Sequence, residues 1–428
     1  MNMAIDVLII GSGAREHALA WKLKQSPRIG KLYVAPGNPG TRSIAENVPI
    51  DVMDFQKLAA FAEEKKIAIT VVGPDDALGA GIVDVFTARG LRIFGPSKEG
   101  AQVESSKAFA KNLMKEARVP TAEFAIFTTP AAALAHVRLR GVPIVIKASG
   151  LALGKGVYVC RTIEEAESAI NGIMIEKVHK AAGNEVVIEE YLDGSEISIH
   201  ALSDGITHIL FPPAQDHKRA LDGDSGSNTG GMGTIAPLPW VTDEMMASYE
   251  SQIVTPTIET LKRRGIQFKG LLYPGLMVTL NGPKVLEYNA RFGDPETQVY
   301  MRLLKSDLLD IIEASADGTL DSIKKSVEWH KGFAATIVIA SGGYPDAYEK
   351  GFPITGIDEA ENMEQVVVFH AGTKIENGQL ITAGGRVLSV SATGGTLKQA
   401  LDRAYEAVAK IHFEGMHFRK DIGSKALN

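Results

Sequence analysis

Between Val285 and Gln298 the chain reads V-L-E-Y-N-A-R-F-G-D-P-E-T-Q, with a carboxylate at Glu287, an amide at Asn289 and a guanidinium at Arg291. Apolar residues at Val278, Leu280, Val285 and Leu286 predict strands leading into this segment. In an extended strand, residues i and i+2 share a face, so Glu287 and Asn289 point the same way. Two hard oxygen donors beside an arginine suit a Mg²⁺ ion that is itself bound to phosphate. An isolated E-x-N equally describes a strand with a polar solvent face. Its company upstream favours the chemical reading.

Gly150 to Gly156 reads G-L-A-L-G-K-G. It departs from a Walker loop, with three residues instead of four between Gly150 and Gly154, and with Gly156 where a metal-binding Ser or Thr belongs. Strand patterns on both sides predict a hairpin loop whose backbone N–H groups fold over phosphates, Lys147 supplying a fixed charge from the preceding strand. The same pattern also fits a flexible hairpin with a solvated lysine. Val187 to Leu192 (V-I-E-E-Y-L) predicts a strand that becomes a linker. There the Glu190 carbonyl and Leu192 N–H could pair with adenine, with Glu196 reaching ribose hydroxyls. Ala214 to Arg219 (A-Q-D-H-K-R) and Asp222 to Gly233 are polar and glycine-rich, a composition suited to a phosphorylated species or to a surface loop.

At the other end, Gly11-Ser12-Gly13-Ala14-Arg15-Glu16 follows the short apolar run V-L-I-I. It is no dinucleotide fingerprint, because Glu16 stands where the third glycine belongs and the next strand ends in Ala-Pro-Gly-Asn without a ribose-binding acid. Free N–H groups at a helix start still favour one phosphate, with Arg15 adding charge. A tight structural turn is the other reading.

The elements that must carry these groups come in three patterns. Strands at 7–10, 31–35 and 68–72 alternate with helical patterns and close on glycine-rich loops, which predicts a doubly wound parallel sheet over residues 1–102. Residues 103–327 predict a two-lobed α+β unit, the small lobe spanning 124–192. Short strands and the amphipathic stretch 396–411 predict a small α+β domain over 328–428.

Composition narrows the function. The net charge of −6 excludes a general polyanion binder, which leaves no role for nucleic acid. The single cysteine, Cys160, excludes disulfide frameworks and cysteine-based zinc sites. With neither a signal-peptide pattern nor an apolar run near ~20 residues, a cytoplasmic protein without membrane association is expected.

The ordered motifs together resemble the ATP-grasp superfamily, and within it the phosphoribosylamine–glycine ligase (glycinamide ribonucleotide synthetase) family. They include I-G-S-G-A-R-E-H-A-L-A, A-P-G-N-P-G-T, V-V-G-P-D-D, S-S-K-A-F-A-K, I-K-A-S-G-L-A-L-G-K-G, A-Q-D-H-K-R, N-T-G-G-M-G, E-Y-N-A-R-F-G-D-P-E-T-Q, H-A-G-T and G-G-R-V-L, spread over essentially the whole chain. The resemblance implies an α/β and α+β multidomain enzyme of purine biosynthesis. It would use ATP, glycine and phosphoribosylamine, with Mg²⁺ or Mn²⁺, as a monomer. It implies ATP contacts from Lys107, Lys147, Gly154, Lys155, Gly156, Glu189, Glu190, Tyr191, Leu192 and Glu196, and metal ligation by Glu287 and Asn289. Arg291, Lys218 and Asp294 would be catalytic, and Gly11, Ser12, Gly13, Arg15, Glu16 and Asn38 would hold phosphoribosylamine. Two departures accompany it. In the glycine-rich loop Ser149 stands where relatives commonly have Asp and Leu153 where they have Ala, and Gly275-Leu276-Met277 lacks the extra acid that many ATP-grasp enzymes place before the E-x-N, leaving Asp294 as a candidate substitute.

Overall fold

The computed structural model describes residues 4–152 and 156–427. Its N-terminal sheet is parallel throughout, in the order Glu46–Asn47, Ile29–Pro36, Ile5–Gly11, Ile69–Val72, Ile93–Phe94. Successive side chains of Ile5–Gly11 alternate between two cores. Val7 and Ile9 pack with Leu19 and Leu23, while Leu8 and Ile10 pack with Leu58 and Phe86. A sheet buried on both faces needs the continuous apolar run that this strand carries.

The small lobe is a four-stranded antiparallel sheet in the order Phe124–Phe127, Val186–Glu190, Ile144–Ala148, Val157–Cys160. Helices Pro130–Arg140 and Ile163–Ile170 cover one face, through Ala133, Val137, Ala166 and Ile170. Lys147 pairs with Val157, so the glycine-rich segment is the turn of an antiparallel hairpin. Leu153, Gly154 and Lys155 lie outside the described residues.

The larger lobe is built on Lys269–Thr279, which pairs with Ser195–Ser198, Ala201–Asp204 and Gly282–Asn289. Leu280, read from sequence as part of an apolar strand, instead sits fully exposed in the turn between Lys269–Thr279 and Gly282–Asn289. The C-terminal sheet, Phe333–Ala340, Val366–His370 and Arg386–Gly394, does not end at its own segment. Gly233–Ala236 adds to its edge, followed by Gln215–Asp216. One apolar core runs through both regions, from Val103 and Leu113 to Phe413 and Ile422. The two ends of the 214–233 stretch are therefore strands of the C-terminal sheet, while residues 221–227 between them are exposed.

Candidate active site

A cavity of about 1090 Å³ lies between the two lobes. It is also lined by Arg15 and Asp75 from the N-terminal sheet region, and by Tyr344, Arg386 and Lys425 from the C-terminal region. Its lining is crowded with ionisable groups, and almost every one has a specific partner.

Strand alternation puts Lys147 and Glu189 side by side on paired strands of the small lobe. Lys147 Nζ lies 3.0 Å from Glu189 Oε1 and donates to the Leu286 carbonyl at 3.0 Å. A second ammonium, Lys111, approaches Glu189 Oε2 at 3.0 Å and donates to Thr121 Oγ1 at 2.7 Å. Burial, partly offset by Glu189, brings the Lys111 ammonium down to about 8. The Glu189 carboxylate, expected at adenine, is thus committed to two lysines, and its backbone lies within the small-lobe sheet, paired with Phe124 and Val145. The Glu190 carboxylate turns aside to Lys284 at 2.7 Å, and Arg161 lies over the Tyr191 ring at 5.7 Å. Glu190, Tyr191 and Leu192 line the cavity.

Lys107 opens helix Lys107–Ala117, which Ser106 caps by accepting from the Phe109 N–H at 3.2 Å. The Lys107 N–H donates to the Ser149 carbonyl at 2.7 Å, and the Ala108 N–H to Ser149 Oγ at 3.1 Å. Ser149 therefore ties the helix start to the phosphate-type loop, which is a role its hydroxyl fills without a carboxylate. Burial lowers the proton affinity of Lys107. Gly156 returns the hairpin, its carbonyl accepting from the Ala148 N–H at 2.8 Å.

Glu287 and Asn289 both face the cavity from strand Gly282–Asn289, as their i, i+2 spacing requires. Lys218 Nζ bridges Glu196 at 2.5 Å and Glu287 at 3.3 Å. Burial works to raise the Glu287 carboxyl, but Lys218, Lys107 and Lys147 hold it at about 2, so it is an anion at any working pH. Arg291 donates to Asn289 Oδ1 at 3.3 Å and pairs with Glu104 at 3.1 Å. Glu104 also accepts from the Ala290 N–H at 2.7 Å. Burial raises its carboxyl to about 7, opposed by Arg291 and helped by Asp75.

Asp294, the candidate substitute metal ligand, is held by two side chains. It accepts from Arg386 Nη2 at 2.9 Å and from Gln298 Nε2 at 2.7 Å, joining the E-x-N segment to the C-terminal sheet. Arg386 also donates to the Gly230 carbonyl at 2.6 Å.

Arg15 reaches the cavity, but Gly11, Ser12, Gly13, Glu16 and Asn38 do not line it. Glu16 Oε2 accepts from the Gly13 N–H at 2.7 Å, so this N–H of the loop has a carboxylate partner within the protein. A Cβ on Gly73 would fall 1.8 Å from Glu16 Oε1, so this carboxylate is packed against bare backbone. Arg15 Nε pairs with Glu16 at 2.6 Å. Asn38 donates to the Ser12 and His370 carbonyls, both at 2.8 Å, and its Oδ1 accepts from the Thr41 N–H at 3.0 Å. It is a tie between the first loop and the C-terminal region.

Sequence reasoning missed Lys111, Glu104 and Arg386. The first lies one helical turn after Lys107 in K-A-F-A-K, a spacing that puts both on one face. Arg386 lies within G-G-R-V-L, quoted above without a role. Glu104 carries no local signal.

Two lobes enclosing a lysine-rich cavity, with an acid–amide pair on the larger lobe, define the ATP-grasp class. Residues 105–297 match the ATP-grasp (A) domain model of phosphoribosylglycinamide synthetase, residues 5–104 its N domain and 334–425 its C domain. The chain belongs to the phosphoribosylamine–glycine ligase family, a family of ATP-dependent ligases. It is 48% identical over 423 residues to the phosphoribosylamine–glycine ligase of Halalkalibacterium halodurans, covering 99% of this chain and 97% of that one. It is 48% identical to the human trifunctional purine biosynthetic protein adenosine-3 over 99% of this chain, which is 42% of that protein. The crystal structure of the Thermotoga maritima phosphoribosylamine–glycine ligase superposes with a TM-score of 0.84 at 36% identity, covering 97% of this chain and 100% of that one. A biotin carboxylase domain from Hydrogenobacter thermophilus shares the fold at 17% identity, with a TM-score of 0.74 over 97% of this chain and 92% of that one.

Proposed function

We propose that this chain joins glycine to 5-phosphoribosylamine, converting ATP to ADP and phosphate and releasing glycinamide ribonucleotide. The observation that carries the reading is the convergence of Lys107, Lys147, Glu287, Asn289 and Arg291 on one cavity that also receives Arg15 and Arg386. Glycine's carboxylate is a poor electrophile, because it is anionic and has no good leaving group. Transfer of the γ-phosphoryl to one carboxylate oxygen makes phosphate the leaving group. The amine of phosphoribosylamine then attacks the acyl carbon, the C–O bond to phosphate breaks, and the amine loses a proton. Positioning and charge neutralisation carry most of such a reaction.

Lys107 and Lys147 supply positive charge to the nucleotide phosphates, and the backbone of Glu190 to Leu192 reads the base. Glu196 reaches the ribose from a position already fixed by Lys218. Arg291 steadies charge on the transferring phosphoryl group, held in line by Glu104. Arg15 and Arg386, whose charges both act on Asp294, bring cationic groups from two domains to the phosphoribosylamine end.

The donor set of Glu287 and Asn289 fits a hard divalent cation such as Mg²⁺ or Mn²⁺: an acid kept anionic and an amide oxygen, side by side. Among the described residues no group of three or more His, Cys, Asp or Glu is arranged to hold a metal, so phosphate oxygens and water would complete the shell. When bound, that cation supplies charge neutralisation between phosphate oxygens. No described helix is long and apolar enough to cross a membrane, and we place the enzyme in the cytoplasm as a monomer.

The decisive experiment is ADP release with ATP, glycine and freshly prepared phosphoribosylamine, each omitted in turn. Release that requires all three, with glycinamide ribonucleotide detected by mass, supports the reading. ADP release indifferent to glycine or to phosphoribosylamine defeats it.

A further inference from the structure

Lys111 and Lys147 both line the cavity, and they share one carboxylate, Glu189. Both ammonium groups approach the same oxygen, Oε2, Lys111 at 3.0 Å and Lys147 at 3.1 Å. Lys147 also stands 3.0 Å from Oε1, which accepts no hydrogen bond. All three side chains are buried, Lys111 and Glu189 at 2% exposure. Two ammoniums on one carboxylate leave a single positive charge in excess, in a place where an unpaired charge is costly.

The two lysines differ in what else holds them. Lys111 belongs to helix Lys107–Ala117 and donates to Thr121 Oγ1 at 2.7 Å. Thr121 Oγ1 donates onward to the Val285 carbonyl at 2.6 Å, and the Val285 N–H returns a bond to the Pro120 carbonyl at 2.8 Å. The Phe124 ring lies 5.8 Å from Lys111 Nζ. Lys111 is therefore anchored where the chain entering the small lobe is bonded to strand Gly282–Asn289. Lys147 has a lighter hold: besides Glu189 it has the Leu286 carbonyl at 3.0 Å. The two lysines thus lead to consecutive carbonyls, Val285 and Leu286, immediately before Glu287.

A nucleotide phosphate competes with Glu189 for Lys147. Were Lys147 the only cation on Glu189, its move to a phosphate oxygen would strip a desolvated carboxylate of its partner, and that cost would hold the lysine back. With Lys111 already on Oε2, one cation remains when the other leaves. The positive charge in excess is then the charge that the phosphates take up.

We propose that Lys111 is a positioning residue for Lys147: it stays on Glu189 as a standing counterion and so releases Lys147 to the phosphates of the nucleotide. This rests on the assignment of Lys147 to those phosphates made above.

The test measures, by calorimetry on the full-length enzyme, the affinities for ATP and for adenosine, which has no phosphate to draw Lys147 away. Lys111→Met leaves Glu189 to Lys147 alone. It should weaken ATP binding by about tenfold or more, as loss of a charge-assisted bond does, while adenosine binding stays within about twofold. Adding Glu189→Gln to Lys111→Met removes the competing carboxylate and should return ATP affinity to within about threefold of the parent, which damage to packing would not do. A crystal structure of the unaltered enzyme with a non-hydrolysable ATP analogue stands even where a variant does not fold. It should show Lys111 still paired with Glu189, and Lys147 Nζ nearer to a phosphate oxygen than to Glu189. ATP and adenosine weakened alike, ATP affinity unchanged in Lys111→Met, a double variant as weak as the single one, or Lys111 itself on a phosphate oxygen overturns the role. Lys147→Met that binds ATP as tightly as the parent defeats the phosphate assignment of Lys147, and the positioning role with it.

Discussion

Arg291 Nη2 and Glu104 Oε1 lie 3.1 Å apart across the seam between the short helix Gln102–Ser105, at the junction of the N-terminal and ATP-grasp regions, and the E-x-N segment. The carboxylate holds the guanidinium beside Asn289, but burial keeps it protonated up to about pH 7. Ionised Glu104 gives the stronger bond, so kcat should rise as pH climbs through about 7. Glu104→Gln should flatten this limb and lower kcat by about tenfold, the loss expected for a charge-assisted bond. A pH–rate profile of the variant that keeps the acid limb would refute the assignment.

At the alkaline side the limiting group is Lys111, which loses its proton near 8 because it is buried. Activity should fall above that pH. Glu189→Gln removes the anion between Lys111 and Lys147 and leaves two buried ammoniums uncompensated, so it should destabilise the fold by ~3–5 kcal/mol. Chemical denaturation compares the two proteins; equal midpoints would mean the lysines find other partners.

Glu287→Ala should abolish ATP turnover and leave the fold intact, since this carboxylate is the anionic half of the metal-type pair. Unchanged circular dichroism with activity near that of the parent would remove Glu287 from the chemistry.

Arg15 is the residue of the first glycine loop that reaches the cavity. Arg15→Ala should raise the KM for phosphoribosylamine about tenfold while leaving ATP affinity nearly unchanged, for a bond worth ~1.5–3 kcal/mol. Titration showing loss of ATP affinity with phosphoribosylamine affinity retained would mean the two phosphate ends are reversed.

Three buried histidines stitch the domains together. His17 Nδ1 accepts from the His370 N–H at 2.9 Å, and His217 Nε2 from the Gly423 N–H at 3.0 Å. Burial, chiefly, lowers His17 to about 3 and His370 and His217 to about 4. The unfolded chain takes up these protons first as pH falls from about 6.5. The contribution, on the order of 3 kcal/mol each, is therefore complete above that pH and lost on the way down to 3–4. Thermal melts should shift down steeply between pH 6.5 and 4.5. A flat melting temperature across that window would sink the idea.

Residue type and short-range spacing were enough to read the strand–loop–helix units, the hairpin carrying Lys147, and the shared face of Glu287 and Asn289. These depend on backbone periodicities of two and 3.6 residues, which act over a few positions and leave their mark in the local pattern. Family motifs then extended that reading to the whole chain. The partner of each charge was not legible. Glu189 looks like an adenine-side residue in V-I-E-E-Y-L, and only the packing of helix Lys107–Ala117 against the small lobe brings Lys111 to it. Asp294 looks like a spare metal ligand until the C-terminal sheet delivers Arg386, 92 positions later in sequence. Glu16 is read from sequence as a phosphoribosylamine contact, and only the fold shows Gly11 and Gly73 closing around it and the Gly13 N–H donating to its carboxylate. Such pairings form between elements whose separation along the chain carries no information about their contact. In a desolvated cavity a buried charge gains most from the partner that tertiary packing places beside it, and that choice is made only when the three domains close.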